Sequence, residues 1–417
     1  GWLQDAGEYT AERGFLRHQY ARGQGQRANR PLWAEITLAL AEDDKPATGQ
    51  LLQQFDERLP RYDRVNAAVA VGDMRLAQSA AFEAQGEQPD DNPLHLQLSD
   101  NLLAFSDQAG ARLARRQLGV LDEDRVDAQF HLAINPRLSL ELDLSRIRRS
   151  VAAPDLLRDV AHEEIAALLL RWRHPDGETR VRAANRRGYA TTTPLSLEHE
   201  QRLDSRLSLR GELGWHLPSE ESVALRMGGM KTRVAAHLRY QATRQDSVLL
   251  SQWGEQYRLQ TGAEVGRGRH TAVEYTHTYR QEAPTWEFGA FWSNHRFERR
   301  HPFFLGQQGL EFQQRFVPPG VGGMGMDYFL PESFQFYGLR MSTNMRYEQD
   351  YTRALRPYAS LSLTRHSLLG AGYDLRLGLA GSWLGADHLR LGFGLGKSGV
   401  QSLGLTRLLE MSYRLHF

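Results

Sequence analysis

The 417-residue sequence predicts a mainly β protein: a transmembrane antiparallel β-barrel of about sixteen strands, preceded by a short α-helical segment. Three observations predict it. From Arg125 onward apolar and polar residues alternate with a period of two. Most alternating segments approach the roughly 9–11 residues that cross a bilayer at a slant, where strands of soluble proteins usually have about 5–6. The last such segment ends on an aromatic, Phe417.

Bulk composition fits this class and excludes another. Hydrophobic residues make up 41 % and mean hydropathy is -0.54, and the longest apolar run, Ile165–Leu170, is far shorter than the roughly 20 residues of a membrane helix. Alternation hides a barrel from such measures, because each lipid-facing residue is followed by a lumen-facing one. A net charge of +1 gives no clustered basic face, so no nucleic-acid partner is expected. Lysine occurs only at Lys45, Lys231 and Lys397, so arginine carries almost all the positive charge. Cysteine is absent, which removes disulfides and thiolate metal sites. Gly1 is not a start methionine, so the chain is expected to be the carboxy-terminal part of an exported protein whose signal lies upstream or was removed.

Residues 1–119 read as helical and residues 120–417 as the barrel. Leu51, Leu52, Phe55 and Leu59 follow helical spacing on one face. The segment Gly72-Asp73 through Ala77 and Phe82 to Pro89 echoes Glu42–Leu52 at an offset near 30, which resembles the helix pairs of tetratricopeptide repeats; an unrelated helical linker is the alternative.

In the barrel half, Val126, Ala128, Phe130, Leu132 and Ile134 alternate with Asp127, Gln129 and His131. After an Asn135-Pro136 turn, Leu138, Leu140, Leu142 and Leu144 alternate with Ser139, Glu141 and Asp143. Further segments run through 162–173, 178–186, 192–200, 202–215, 231–241, 245–253, 256–266, 269–280, 285–296, 334–348, 354–365, 371–383, 387–396 and 403–417. Trp215, Tyr240, Tyr257, Tyr279, Trp292, Tyr347 and Tyr413 stand near strand ends, where interfacial girdles form. Met411, Tyr413, Leu415 and Phe417 make the last apolar face, and Tyr413 with Phe417 resembles the signal read by the outer-membrane assembly machinery. An even strand count returns both barrel ends to the side of the helices.

A barrel of this size leaves a water-filled lumen. Strand phase points Asp127, Glu141, Asp143, Asp204, Glu212, Glu264, Glu274, Glu287 and Glu348 into it, with Arg180, Arg182, Arg206, Arg210, Arg233, Arg239, Arg258, Arg340 and Arg346. These charges read either as an ion-pair ladder or as a polar track for a moving polymer. The one long loop, between Phe297 and Phe334, contains His301, Phe303, Phe304, Phe312, Phe316, Tyr328 and Phe329. Strand parity puts it on the outer side, where its length and aromatic density favour a lid or constriction over the lumen against a surface-exposed flap, and puts the helical-looking stretch Pro154–His162 on the periplasmic side.

No enzyme is expected, and no cofactor or metal. Gly320–Gly325 follows two prolines without the strand and helix of a phosphate loop. His366-Ser367 has no orienting acid at a persuasive spacing, and the fifteen histidines include no HExxH. Asp90-Asp91-Asn92 reads as a turn rather than a calcium loop.

Helix pairs running into a sixteen-strand barrel, with the Gly72-to-Pro89 unit, Leu225-Arg226-Met227-Gly228-Gly229-Met230 leading to His237-Leu238-Arg239-Tyr240, and the ending Tyr413–Phe417, resemble the bacterial exopolysaccharide exporters. Within that group the chain is most similar to exporters of the Pel polysaccharide, with poly-N-acetylglucosamine exporters next. The resemblance implies an outer-membrane porin that passes a cationic, partly deacetylated aminosugar polymer to the cell surface for a biofilm matrix. It also implies a small outer-membrane lipoprotein of the PelC kind at the periplasmic mouth and a periplasmic polysaccharide-modifying enzyme on the helices. Outer-membrane lipids and lipopolysaccharide are the expected surroundings. A passive diffusion porin and a structural barrel anchoring a periplasmic scaffold are the competing classes.

Overall fold

The computed structural model describes residues 3, 8–22, 31–104, 106–135, 137–174, 176–204, 206–280, 283–319, 325, 328–348, 351–397 and 405–417. Two units emerge, a helical one ending at Ser106 and a barrel beginning at Asp107.

The helical unit consists of α1 (Tyr9–Arg22), α2 (Leu32–Ala41), α3 (Lys45–Phe55), α4 (Arg61–Val71), α5 (Met74–Glu87) and α6 (Asn92–Ala104). Asp44 caps α3 by accepting from the Ala47 amide, and Asp73 caps α5 by accepting from the Leu76 amide. The two caps occupy equivalent places in consecutive helix pairs. Gly72 ends α4 in the left-handed region, φ 79°, which glycine adopts without steric cost. Leu32, Ile36, Leu51, Leu52, Leu59, Ala67, Ala68 and Ala77 form the shared core, so small residues stand where helices cross. Replacing the Asp73 cap, D73A, is expected to cost about 1 kcal/mol and to lower the urea midpoint of the helical circular-dichroism signal. An unchanged midpoint would show that the cap bond is solvent-compensated.

The barrel strands are β1 (Gln108–Gln117), β2 (Leu121–Asn135), β3 (Leu138–Val151), β4 (Glu163–His174), β5 (Gly177–Arg187), β6 (Leu195–Arg202), β7 (Leu207–Pro218) and β8 (Gly229–Gln241). They continue as β9 (Asp246–Leu259), β10 (Glu264–Arg280), β11 (Trp286–Arg299), β12 (Phe334–Thr343), β13 (Arg356–His366), β14 (Gly370–Gly381), β15 (Asp387–Lys397) and β16 (Thr406–His416). A two-residue bridge at Thr191–Thr192 extends β6 toward β5. Each strand pairs antiparallel with its sequence neighbour, and β16 closes on β1 from Gln108↔His416 to Gln117↔Arg407. Closure leaves no unpaired sheet edge, the condition for a sheet to span a bilayer.

The apolar phase points outward. Val126, Phe130, Leu132, Ile134, Leu142, Leu144, Leu168, Leu213, Leu363 and Leu409 are all exposed on the outer surface, an arrangement suited to lipid and not to water. Of the aromatics assigned to girdles, Trp215, Tyr240, Tyr279 and Trp292 are exposed there. Tyr257 is fully buried inside, and Tyr347 lies in a 3-10 turn, Met345–Glu348, beyond the end of β12.

Two boundaries differ from the sequence reading. Gln108–Gln117 is a strand, so the barrel begins before residue 120. Residues 245–266 hold one turn at Gln260–Ala263, with Gly262 at φ 107°, where alternation suggested a strand break near Gly254. The missed strand and the extra one cancel in the count. They do not cancel in direction: the connection from Val151 to Glu163 leaves the same barrel end as the long loop after Arg299, so Pro154–His162 is at the outer mouth, not the periplasmic one.

Candidate functional site: the lumen and its outer mouth

Because strand side chains of apolar phase face out, the largest apolar core of the barrel unit comes from its loops. Leu118, Val120 and Leu121 come from the β1–β2 turn, Leu157 and Ala161 from the β3–β4 loop, and Tyr257, Leu259 and Val265 from the β9–β10 turn. They meet Ala224, Leu225 and Met227 of the short helix α7 (Val223–Gly228). The long loop adds Leu305, Phe329, Leu330 and, from helix α8 (Gly306–Phe316), Phe312 and Phe316.

This cluster crosses the mouth. The long loop leaves between β11 and β12, and the Pro154–His162 segment lies between β3 and β4, eight strands away in a ring of sixteen. The Arg158 amide donates to the Phe316 carbonyl at 2.9 Å, and the Arg158 guanidinium donates to the Gln314 carbonyl at 3.1 Å. Arg315 pairs with Asp159 at 3.3 Å and stacks over Tyr189 and Phe316. Thr261 Oγ1 bonds Gln308 Oε1 at 3.1 Å nearer the other wall. An eleven-residue helix spans about 16 Å, so α8 with its flanks reaches across.

The aromatic contacts of α8 are edge-on. Phe312 meets Phe329 at 5.3 Å and Tyr189 at 5.5 Å, and Phe316 meets Tyr189 at 5.5 Å. Burial pushes the Tyr328 phenol well above its ordinary value, and burial, helped by Glu311, raises Tyr189, so both rings stay neutral. His301, Phe303 and Phe304 do not join the cluster: His301 caps the turn by accepting from the Phe303 amide, and Phe303 and Phe304 are 81 % and 72 % exposed. The stretch Gly320–Gly325 lies outside the described residues except for Gly325.

Beneath the cluster a buried ionic group fixes α7 and the loop ends. Arg149 bonds Glu123 at 2.8 Å, Glu163 at 3.2 Å and the Ala161 carbonyl at 2.7 Å. Arg186 pairs with Glu163 and donates to the Gly229 carbonyl at 2.8 Å. Arg226 of α7 pairs with Glu123 at 3.2 Å and Glu220 at 3.0 Å. None of Arg149, Glu163 or Arg186 was singled out from the sequence, although inward strand phase marks all three.

Lower in the lumen the charges form pairs. Arg125 holds Asp127 at 2.7 Å, Arg182 holds Asp143 at 3.4 Å, and Arg340 pairs with Glu274. Glu212 is shared by Arg210 at 3.4 Å, Arg233 at 3.5 Å and His237 Nε2 at 3.2 Å. Glu141 stands on the same inner face of β3 as Asp143, and Glu287 accepts from Ser342 at 3.5 Å. Arg239 keeps the inward phase of β8 but is exposed near its periplasmic end. Glu348 is not on a strand; its turn folds back so that the carboxylate reaches inward Arg390 at 3.0 Å and Arg376 at 3.8 Å.

Arg346 lies in the Met345–Glu348 turn and Arg206 in the turn before β7, and three expected carboxylate or arginine positions of the lumen also lie elsewhere. Asp204 sits in the periplasmic β6–β7 turn, where it accepts from the Arg206 and Leu207 amides. Arg258 takes the outward phase, opposite Tyr257, and donates to Gln256 on the same face. Glu264, displaced by the bulge at Val265, stands at the outer rim against Arg267 at 3.3 Å. Tyr413 shares the outward phase with Met411 and Leu415, and Phe417 exchanges backbone hydrogen bonds with Asp107.

Among the described residues no cluster of three potential metal-binding side chains occurs. No curated protein matches the sequence at a significant level. Among solved structures, a bacterial polysaccharide outer membrane secretin aligns with TM-score 0.52 and 10 % identity, over 74 % of this chain and 98 % of its own, a likeness of fold. OccK5 (OpdH) of Pseudomonas aeruginosa aligns with TM-score 0.39 and 9 % identity over 76 % and 99 %. The family model described as PelB, C-terminal beta barrel domain, matches residues 103–416, all sixteen strands included. The chain, an outer-membrane β-barrel with a helical periplasmic segment, belongs to the family of PelB C-terminal β-barrel domains.

Proposed function

We propose that the barrel exports an exopolysaccharide, a cationic and partly deacetylated aminosugar polymer, from the periplasm to the cell surface. The observation that carries this reading is the inner wall: carboxylates and arginines alternate in pairs along it, within a barrel of the PelB family. A polymer ammonium can exchange for an arginine at each carboxylate without leaving either charge unpaired. Such a track holds each unit weakly and repeatedly, which conduction requires. Asp127, Glu141, Asp143, Glu212, Glu274, Glu287, Arg340 and Glu348 are its members. Phe312, Phe316, Tyr328 and Phe329 form the lid that keeps the mouth shut between polymers.

Supporting the periplasmic half of the reading, the helical unit has an outer face of helices with exposed Trp33 and Phe82, side chains that a docked enzyme would cover. We assign that face to a polysaccharide-modifying enzyme, and the periplasmic rim to a PelC-like lipoprotein on the strength of family membership.

The test neutralises Asp143, Glu274 and Glu348 together. With D143N, E274Q and E348Q, export of the cationic polymer is expected to fall at least about ten-fold, because the local concentration of ammonium groups in a charged channel scales with its field. Permeability to small neutral sugars in lid-deleted barrels, read by liposome swelling, should stay unchanged. Normal polymer export by the triple variant overturns the assignment.

A further inference from the structure

Near its cell-surface end the outward face of β9–β11 is polar and carries arginines on neighbouring strands. There Gln252, Gln256 and Arg258 of β9, Arg267 and Arg269 of β10, and Asn294 and Arg296 of β11 occupy the outward phase. Arg269 stands directly opposite Arg296 in the strand register. Like charges so placed repel and destabilise a sheet unless an anion lies between them.

Among the described residues no carboxylate supplies that anion. Elsewhere on the outer wall Arg115 is matched with Asp124 at 3.8 Å and Arg146 with Glu164 at 3.5 Å. On β9–β11 the rim carboxylates Glu264 and Glu298 both stand beside Arg267, by ion pair and by register respectively. Arg269 and Arg296 are exposed and have no ion pair among the described residues. Below them Trp292, four residues along β11 from Arg296, is exposed on the same face, a position suited to a ring at the boundary between headgroups and acyl chains.

We propose that this face binds a phosphorylated glycolipid of the outer leaflet, its phosphate held between Arg269 and Arg296 and its acyl chains lying against Trp292. Guanidinium forks match phosphate oxygens bidentately, and two of them satisfy a dianion. The location selects the occupant: an anion here sits at headgroup depth on the lipid side of a closed wall, where soluble polymer in the lumen has no access. The site is independent of what the lumen transports.

The test uses the purified full chain in detergent, with diphosphoryl lipid A, the same lipid stripped of phosphate, and inorganic phosphate as probes, read by native mass spectrometry. Wild-type protein should bind the diphosphoryl lipid at least about ten-fold more tightly than the stripped lipid, the worth of two charge-assisted contacts. The double variant R269Q/R296Q should lose that preference, and R115Q/R146Q, on the opposite wall, should keep it. Heat-modifiable gel mobility checks that every variant is a closed barrel. Equal binding of the stripped lipid by wild-type protein overturns the proposal whatever the variants do. Inorganic phosphate binding as tightly as the lipid also overturns it, by making the site one for free anions.

Discussion

The double variant F312A/F316A is expected to raise the single-channel conductance of the purified barrel at least about ten-fold, from a mostly closed to a mostly open state. Both rings are fully buried in the cluster that crosses the mouth. Truncating a buried phenylalanine costs about 3–5 kcal/mol, and carrying a two-state element from 1:99 to 99:1 takes about 5.5 kcal/mol. The two rings touch, with centroids 4.6 Å apart, so their losses will not simply add; even so, one and a half of them suffice. The exposed Arg315–Asp159 pair is the control: an exposed ion pair contributes about 0–1 kcal/mol, so D159N should leave conductance near wild type. If D159N opened the channel as far as the double phenylalanine variant, the closed state would rest on the ion latch and not on apolar packing. If neither variant changed conductance, α8 would not be the barrier.

Why the barrel was legible and its lid only partly so follows from where each signal resides. Outward strand positions answer to lipid, and lipid demands apolar side chains, so Val126 to Ile134 reads unmistakably. The first strand does not, because its outward residues Ala109, Ala111, Leu113 and Arg115 offer two alanines and an arginine among four. The polar outward face of β9, at Gln252, Gln256 and Arg258, broke the alternation near Gly254 and created a false strand end. Direction along the barrel is a running count, so one early omission reversed Pro154–His162, and the later false strand restored the long loop to its side. Inward phase fixes which residues enter the lumen but not their height or partners. Glu348 reaches Arg390 through a back-folded turn that no alternation encodes, and Glu264 was moved to the rim by a single bulge. Within the lid, hydrophobicity alone could not separate Phe312 and Phe316, which face inward on a helix, from Phe303 and Phe304, which face water.

The ionic group under the lid yields the other large effect, E163A. Glu163 is the shared partner of Arg149 and Arg186, both at most 3 % exposed, and removing it leaves two guanidiniums buried with one acidic neighbour fewer. Breaking a buried pair from one side costs about 3–5 kcal/mol, so the variant should lose its heat-modifiable band at a markedly lower temperature than wild type. It should also loosen α7, since Arg186 holds the Gly229 carbonyl that follows that helix. Removing both charges has the opposite logic. In E163M/R186M, Arg149 and Arg226 still face Glu123 and Glu220, and methionine fills the vacated volume without a charge to desolvate. The double variant should therefore be more stable than E163A, and its conductance closer to wild type, despite carrying one more substitution. Were it instead less stable than the single variant, the Arg186 bond to the Gly229 carbonyl, and not the charge balance around Glu163, would be what holds the mouth together.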